Sequence, residues 1–521
     1  MAHPSVSPPD RSAGGEEAYS PPETLTAPIG TGIKWKFTSQ ILREGTRLGV
    51  GILLARLLTP AEWGTATIAM ALASFLTMLA EVGLPVALVQ RARISEADRS
   101  TMFWTALGLG LAFTALGIAL SGLVADLFGE PQLQWLFAAL CLGFTVASLE
   151  KVPGALLSRD LAFRVLELRQ IVATMSGAAV AVVLALAGTG SWAIIGNSLA
   201  TTTVSCALLW TQTSWRPKLV FAWDSFRSLT AFGGTLLGTQ VLRYFQLYSD
   251  RLLIGRHLGP GPVGSYAFAS QLMFTPIGNI AYPLQMVLFP AFATIQENVE
   301  RLNAAWLRTT RISVALMTPA FLVLFVVGPD LIPTVFGSRW DDSIPVLQLL
   351  CLAGVAYALG TQNGILLAVK DRVGTSFHLA LLITATVVAG MVVGLQWGIT
   401  GVAAGFAIAH WLLVLPETWI TARAAEIGFR KILAVILVPL PFAAVATAAA
   451  LGARAGLEEL GVSPWLRILV GAVVLMAVYV GLAYVGSKSL RADADEARSR
   501  LRSRKRAAAA GSPSDEAPTY R

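Results

Sequence analysis

Residues 40–69 read QILREGTRLGVGILLARLLTPAEWGTATIA, and residues 240–269 read QVLRYFQLYSDRLLIGRHLGPGPVGSYAFA. Laid over each other with a shift of 200 and no gap, the two stretches agree at nine of 30 positions. Gln40, Leu42, Arg43, Leu53, Arg56, Leu58, Pro60, Gly64 and Ala69 recur as Gln240, Leu242, Arg243, Leu253, Arg256, Leu258, Pro260, Gly264 and Ala269. A weaker echo carries Gly154, Leu156 and Leu157 onto Gly364, Leu366 and Leu367. The chain therefore repeats itself, and what lies between the copies decides how they are related.

A membrane-crossing helix needs about 20 mainly apolar residues. By that measure fourteen spans are expected, near 35–58, 64–85, 101–125, 133–157, 168–188, 191–213, 229–255, 262–290, 312–328, 343–369, 374–395, 397–422, 431–453 and 464–486. The first copy of the repeat leads span 1 and the second leads span 7, so both cross in the same direction and the repeats are parallel. Parallel halves are related by an axis along the membrane normal, with a substrate site expected at their interface. The expected fold is thus an all-α polytopic membrane protein: two six-helix lobes around a central cavity, plus two C-terminal helices. The divisions are 1–34, a cytoplasmic tail; 35–213, the first lobe; 214–422, the second lobe; 423–486, spans 13 and 14; and 487–521, a basic tail.

Composition agrees. Of 521 residues 55% are apolar and 13% charged, with a mean hydropathy of +0.64; a soluble chain carries about 25% charged residues. The first 30 residues lack the apolar run of a signal peptide, so the amino terminus is expected inside. Cytoplasmic loops should then hold the basic residues. With both termini inside, 30 of the 39 Lys and Arg fall on the inner side, including Arg91, Lys151, Arg164, Arg169, Arg301 and Arg311, and four fall outside: Arg56, Arg256, Arg339 and Arg454. The net charge of +8 therefore reflects topology and not nucleic-acid binding. Cys141, Cys206 and Cys351 lie far apart within apolar segments and read as core residues. The stretch 291–311 reads either as an interfacial helix bridging the lobes or as an ordinary connector. The tail run RSRLRSRKR, 498–506, reads as a contact for anionic lipid headgroups or as a solvated stop signal.

Ionisable groups at membrane depth cost about 2.5–3.5 kcal/mol each on insertion scales and call for a reason. Helical spacing puts Gln40, Arg43, Glu44, Arg47 and Gly51 on one stripe of span 1, and Gln240, Arg243, Tyr244, Leu247 and Arg251 on one stripe of span 7. Arg43, Arg47 and Arg243, with Gln40 and Gln240, are the candidate substrate-binding residues: guanidinium groups stay charged and grip phosphate oxygens in pairs. The competing reading is internal pairing, of Arg43 with Glu44 or Glu81 and of Arg251 with Asp250. Glu81 and Asp250 are candidates for holding a coupling Na⁺ or proton, while Glu81 beside Gly83 and Pro85 also reads as the end of span 2. Asp330, Asp341 and Asp342 read as loop and cap residues. No metal-ligand cluster, phosphate loop or catalytic carboxylate domain is apparent, and the four histidines, His3, His257, His378 and His410, are scattered. A transporter is favoured over an enzyme, and no cofactor is expected beyond Na⁺ or H⁺ coupling.

The order and spacing of LLARLLTPAEWG (53–64), EVGLPVALVQR (81–91), VPGALLSRDLAFR (152–164), SWRPKL (214–219), SDRLLIGRHLGPGPVGSYAFA (249–269), LFPAFATIQEN (288–298) and VFGSRWDDSIPVLQLLCLAG (335–354) resemble the polysaccharide-transport, or Wzx-type, flippases. These are relatives of the multidrug and toxin extrusion transporters and of the lipid II flippases. The resemblance covers residues 35–485. It implies a pair of helical lobes exposing a basic cavity alternately to each side of a bacterial inner membrane. It also implies a cargo of oligosaccharide on undecaprenyl pyrophosphate, for exopolysaccharide, capsule or O-antigen (lipopolysaccharide) biosynthesis. The implied partners are that lipid-linked oligosaccharide, membrane lipids, a polysaccharide polymerase and glycosyltransferases. Two other readings remain open at this stage: a cation-coupled small-molecule exporter, and a non-transporting anchor of a polysaccharide-assembly complex.

Overall fold

A computed structural model describes residues 26–80, 94–160, 162–223, 227, 234–360, 362–493, 495, 496 and 499. Among these the regular structure is helical throughout. Eleven stretches are long and apolar enough to cross a membrane. The helices expected as spans 1 and 7 fall outside the eleven, because Arg43, Glu44 and Arg47 interrupt one and Arg243, Asp250 and Arg251 the other. One of the eleven, Val373–Ala425, holds two helices in its 53 residues.

The described chain divides into two compact units. Unit 1 takes in residues up to Leu58 and Ile68–Tyr244; unit 2 takes in Thr59–Thr67 and everything from Phe245 on. Unit 1 contains α1 (Thr26–Leu57), α2 (Pro60–Ala80) beyond its first turns, α3 (Glu96–Phe128), α4 (Pro131–Arg159), α5 (Phe163–Leu186), α6 (Trp192–Gln212) and the start of α7 (Gly234–Leu258). Helix α3 begins with a reciprocal cap: the Asp98 amide donates to Ser95 Oγ at 3.1 Å, and the Ser95 amide to Asp98 Oδ2 at 3.0 Å. It ends at Gly129, whose φ of +68° suits glycine. Small and hydroxylic residues then bring helices close, as expected where water supplies no drive for apolar packing. Thr114 Oγ1 donates to the Cys141 carbonyl at 2.7 Å, which ties α3 to α4. Gly177 faces Asn197 and Thr201 where α5 packs on α6. Helix α1 lies on α5 and α4 on α6, so four helices present their polar residues to one another. Near the start of α3, Trp215 Nε1 donates to Glu96 Oε1 at 2.9 Å and Trp104 Nε1 to the Lys218 carbonyl at 2.8 Å; the SWRPKL stretch is thereby seated on the helix.

Unit 2 contains the rest of α7, then α8 (Pro260–Pro276), α9 (Tyr282–Ala293), α10 (Val299–Leu331), α11 (Ser343–Gly360), α12 (Asn363–Val369), α13 (Val373–Gly394), α14 (Gly398–Ala425), α15 (Phe429–Leu437), α16 (Pro439–Glu459) and α17 (Pro464–Gly486). The region read as an interfacial helix or connector is neither in full: from Val299, capped by Asn298, it is the first third of a 33-residue helix. The first two turns of α2 belong to unit 2, where they cross the start of α8 at closest approach. A Cβ on Gly64 would lie 1.8 Å from the Pro260 carbonyl oxygen, and a Cβ on Gly264 would lie 1.8 Å from that of Pro60. The two copies of the Pro-x-x-x-Gly element in the sequence repeat thus meet reciprocally. Trp63, Phe268, Trp340 and Phe336 close around them, with ring centroids 4.4–6.2 Å apart.

Asp330 is not a loop or cap residue. It is 4% exposed in the last turn of α10, paired with Arg454 on α16 and at 2.8 Å with Arg467 on α17. Burial requires this: an isolated carboxylate there would be very costly. The three cysteines are free and buried.

Candidate functional site

In unit 1, helices α1, α4, α5 and α6 line an open cavity of about 630 Å³, with Arg43, Glu150, Lys151, Ser158, Leu166, Glu167, Arg169, Gln170, Thr201, Thr202 and Ser205 around it and small residues of α4 between them. Three basic and two acidic side chains therefore face one space. Arg43 Nη1 stands 3.3 Å from Glu167 Oε2, and the Ser39 hydroxyl donates to the same carboxylate. Arg169 Nη1 donates to Glu150 Oε2 at 3.0 Å, and Ser205 Oγ donates to that oxygen at 3.0 Å. Each carboxylate thus holds one guanidinium and one hydroxyl. Helix α5 supplies both an acid and a base, Glu167 and Arg169, two residues apart, so that one bonds toward α1 and the other toward α4.

Arg43 also reaches along its own helix, Nη2 donating to Gln40 Oε1 at 3.0 Å, while Gln40 Nε2 donates to Glu44 Oε1 at 3.2 Å and Arg47 pairs with Glu44 at 2.8 Å. The stripe inferred from spacing is thus a continuous polar ladder. Arg47 stands out into the open, with a side chain 63% accessible. The partner of Arg43 is Glu167; the sequence reading considered Glu44 and Glu81 for that place.

The second stripe is divided. Gln240 and Arg243 are exposed on α7. Tyr244 is buried, its hydroxyl donating to the Ala71 carbonyl at 3.0 Å and its ring 4.9 Å from that of Phe75. Further along, in unit 2, Asp250 is 7% exposed and accepts from the Arg251 amide at 2.7 Å, with Arg251 Nη1 3.5 Å away. Glu81 lies outside the described residues.

Glu150, Lys151, Glu167 and Arg169 were not among the candidate site residues. Lys151 and Arg169 entered the sequence reading only as topological charges, and Glu150 and Glu167 sit at span ends, where a carboxylate is unremarked. The available signal was the acid–base pairing of Glu150 with Lys151 and Glu167 with Arg169 on either side of one short loop. Chemically the cavity offers guanidinium and ammonium groups for an anion, and amide, hydroxyl and carboxylate groups for hydroxyls.

Residues 53–345 match the family described as polysaccharide biosynthesis protein. The lipopolysaccharide biosynthesis protein WzxC of Escherichia coli (strain K12) is 30% identical over 73% of this chain and 78% of its own length. The succinoglycan biosynthesis transport protein ExoT of Rhizobium meliloti (strain 1021) is 26% identical over 94% of this chain and 98% of its own. Among solved structures, the lipid II flippase MurJ in an inward closed conformation has a TM-score of 0.69, with 15% identity over 87% of this chain and 99% of that one; the likeness is one of fold.

Proposed function

Because the chain belongs to the polysaccharide biosynthesis protein family, we propose that it is a flippase, carrying a lipid-linked oligosaccharide across the cytoplasmic membrane by alternating access. The cargo class is an oligosaccharide on undecaprenyl pyrophosphate, destined for exopolysaccharide, capsule or O-antigen. The observation that carries this reading is the unit 1 cavity, where Arg43, Lys151 and Arg169 face the same space as Gln170, Thr201, Thr202 and Ser205. Basic groups suit a pyrophosphate, which Arg can grip with two parallel bonds; the neutral polar groups suit sugar hydroxyls. Arg43, Arg47 and Arg243 are the proposed phosphate-binding residues, with Gln40 and Gln240 beside them.

The chain crosses the membrane fourteen times with both termini cytoplasmic, in two six-helix lobes followed by two further helices, and acts as a transporter without chemistry of its own. Polymerase and glycosyltransferases are the partners that make and consume its cargo. Asp250 and Glu81 are the proposed coupling carboxylates: a cation can bias alternate exposure only by binding the two states differently. A small-molecule exporter is less favoured, since the cavity's basic groups outnumber its acidic ones three to two, and both carboxylates are already paired with arginines.

The test is glycan export in cells lacking the gene and complemented with variants. Arg43→Ala and Arg243→Ala should each abolish export at normal protein abundance. Full export in the double variant would refute the phosphate assignment. In vesicles, flipping of a lipid-linked oligosaccharide should respond to an imposed Na⁺ or pH gradient, and that response should be lost in Asp250→Asn or Glu81→Gln.

A further inference from the structure

Beyond α17 the sequence carries its charges in two blocks. Residues 487–497 hold Lys488 and Arg491 against Asp493, Asp495 and Glu496, while residues 498–506, RSRLRSRKR, hold six bases and no acid. Opposite blocks so close along a chain ordinarily pair with each other, and Glu496 and Arg500 stand four residues apart, the helical spacing for it. The structure gives the acids other partners.

The chain turns at Ser487, whose hydroxyl accepts from the Leu490 amide at 3.3 Å, and the turns that follow meet α10. Asp493 Oδ1 stands 2.9 Å from Arg308 Nε, and its Oδ2 2.7 Å from Arg311 Nη2. With its side chain only 12% accessible, this is not the exposed kind of pair that contributes little. Glu496 pairs with Arg308 as well, and Asp495 accepts from the Tyr484 hydroxyl at 3.2 Å. Arg491 folds back on the end of α17, its Nε donating to the Tyr484 carbonyl at 2.8 Å and its guanidinium 5.0 Å from the Tyr484 ring centroid. Ser499, already inside the basic block, donates to the Glu496 carbonyl at 2.8 Å, so the root of that block is fixed too.

Arg311 is followed on α10 by an uncharged stretch, 312–329, and the last 19 residues of α17, 468–486, are uncharged as well. Both helices are long and apolar enough to cross a membrane, which puts the acidic turn at the edge of the hydrocarbon. Arg498, five residues past Asp493, can then lie no more than about 18 Å from it. A basic run acting only as a topological stop would need no such attachment.

We propose that residues 498–506 bind the headgroups of anionic phospholipids, and that Asp493, Asp495 and Glu496 form a handle that roots this run on α10 and keeps its bases for the lipid. Lys and Arg clustered just past a membrane helix attract anionic headgroups strongly enough to hold a segment at the surface. Six bases against three acids leave a surplus in any pairing, and the handle enlarges it. The contact ties the α10–α17 end of unit 2 to the leaflet it faces and does not depend on what the protein transports.

The protein, with Cys141, Cys206 and Cys351 replaced and Ser503→Cys carrying an environment-sensitive fluorophore, is reconstituted in phosphatidylcholine vesicles with or without an equal part of phosphatidylglycerol. With phosphatidylglycerol the emission should shift to the blue, and headgroup-spin-labelled lipid should quench it several-fold more than without. Salt at about 1 M, where screening acts within about 3 Å, should reverse both effects. Arg500→Gln with Arg502→Gln and Arg504→Gln should abolish the difference between the two vesicles. Arg308→Gln with Arg311→Gln releases Asp493 and Glu496 to pair with the run and should cut the quenching several-fold. Equal emission in both vesicles, a phosphatidylglycerol response surviving in the triple variant, or a response to added polynucleotide with none to phosphatidylglycerol would each overturn the lipid assignment. Quenching unchanged in the double variant would overturn the handle. Should that variant fail to fold, Arg308→Gln alone, at a side chain 41% exposed, decides the same point.

Discussion

Replacing Gly64 by alanine puts a Cβ 1.8 Å from the Pro260 carbonyl oxygen and 2.7 Å from its carbon, where ordinary contact begins at 3.4 Å. Neither neighbour can swing away, because both are backbone. The crossing of α2 and α8 must therefore open by about 1.6 Å, the difference between those distances. Trp63, Phe268 and Trp340, which are 8%, 4% and 0% exposed around the crossing, would lose contact, since a gap of even 0.5–1 Å forfeits roughly a quarter to a half of each atom pair's attraction. Overpacking of this kind typically costs about 1–3 kcal/mol, and the backbone character of the clash puts Gly64→Ala near the upper end, at about 3 kcal/mol. Gly264→Ala meets the mirror-image clash with the Pro60 carbonyl at the same distance and should cost about as much. Once the crossing has opened for one methyl group, however, the second finds room. The double variant should cost about as much as either single one, so that the two effects are strongly non-additive. Equilibrium unfolding in mixed micelles, followed by tryptophan fluorescence, measures all three. A double variant equal to the sum of the singles, or a single variant as stable as the parent, would refute the reciprocal-crossing argument.

Further outcomes are expected. Asp330→Asn leaves Arg454 and Arg467 with only Glu458, itself 54% exposed, and should destabilise by about 3–5 kcal/mol, the usual cost of breaking a buried pair from one side; unchanged unfolding would contradict it. Arg43→Lys should restore only part of the export lost in Arg43→Ala, because an ammonium cannot form the paired bonds of a guanidinium. Glu167→Gln releases Arg43 from its charged partner and should tighten binding of inorganic pyrophosphate to the purified protein several-fold, measured by calorimetry; weaker binding would remove Arg43 from the anion site. Single cysteines placed at Arg164 and Arg301, after removal of the native three, should resist an impermeant thiol reagent in intact cells, and labelling of either would overturn the proposed orientation.

Fold class was legible in the sequence because two of its signals are local. Apolar runs of membrane length and the sidedness of Lys and Arg depend on composition over about 20 residues, and the repeat is visible without any structure. Pro60, Gly64, Pro260 and Gly264 were marked in the sequence as equivalent. That they touch is a matter of tertiary packing, since backbone approach between helices two hundred residues apart leaves no trace beyond small residues at the right places. The polar stripe of α1 was likewise readable from helical spacing, and Arg43 does line a cavity. Its partner Glu167, and the Glu150–Arg169–Ser205 group beside it, come from three other helices. Helical periodicity specifies which residues share a face but not which face of another helix it meets. The same limit hid Asp330, whose loop-like setting beside Gly328 and Pro329 says nothing of two arginines arriving from α16 and α17. Charges at membrane depth are conspicuous in sequence, whereas their partners are chosen by three-dimensional packing, because a buried charge is stabilised by whatever group lies within a few ångströms in space.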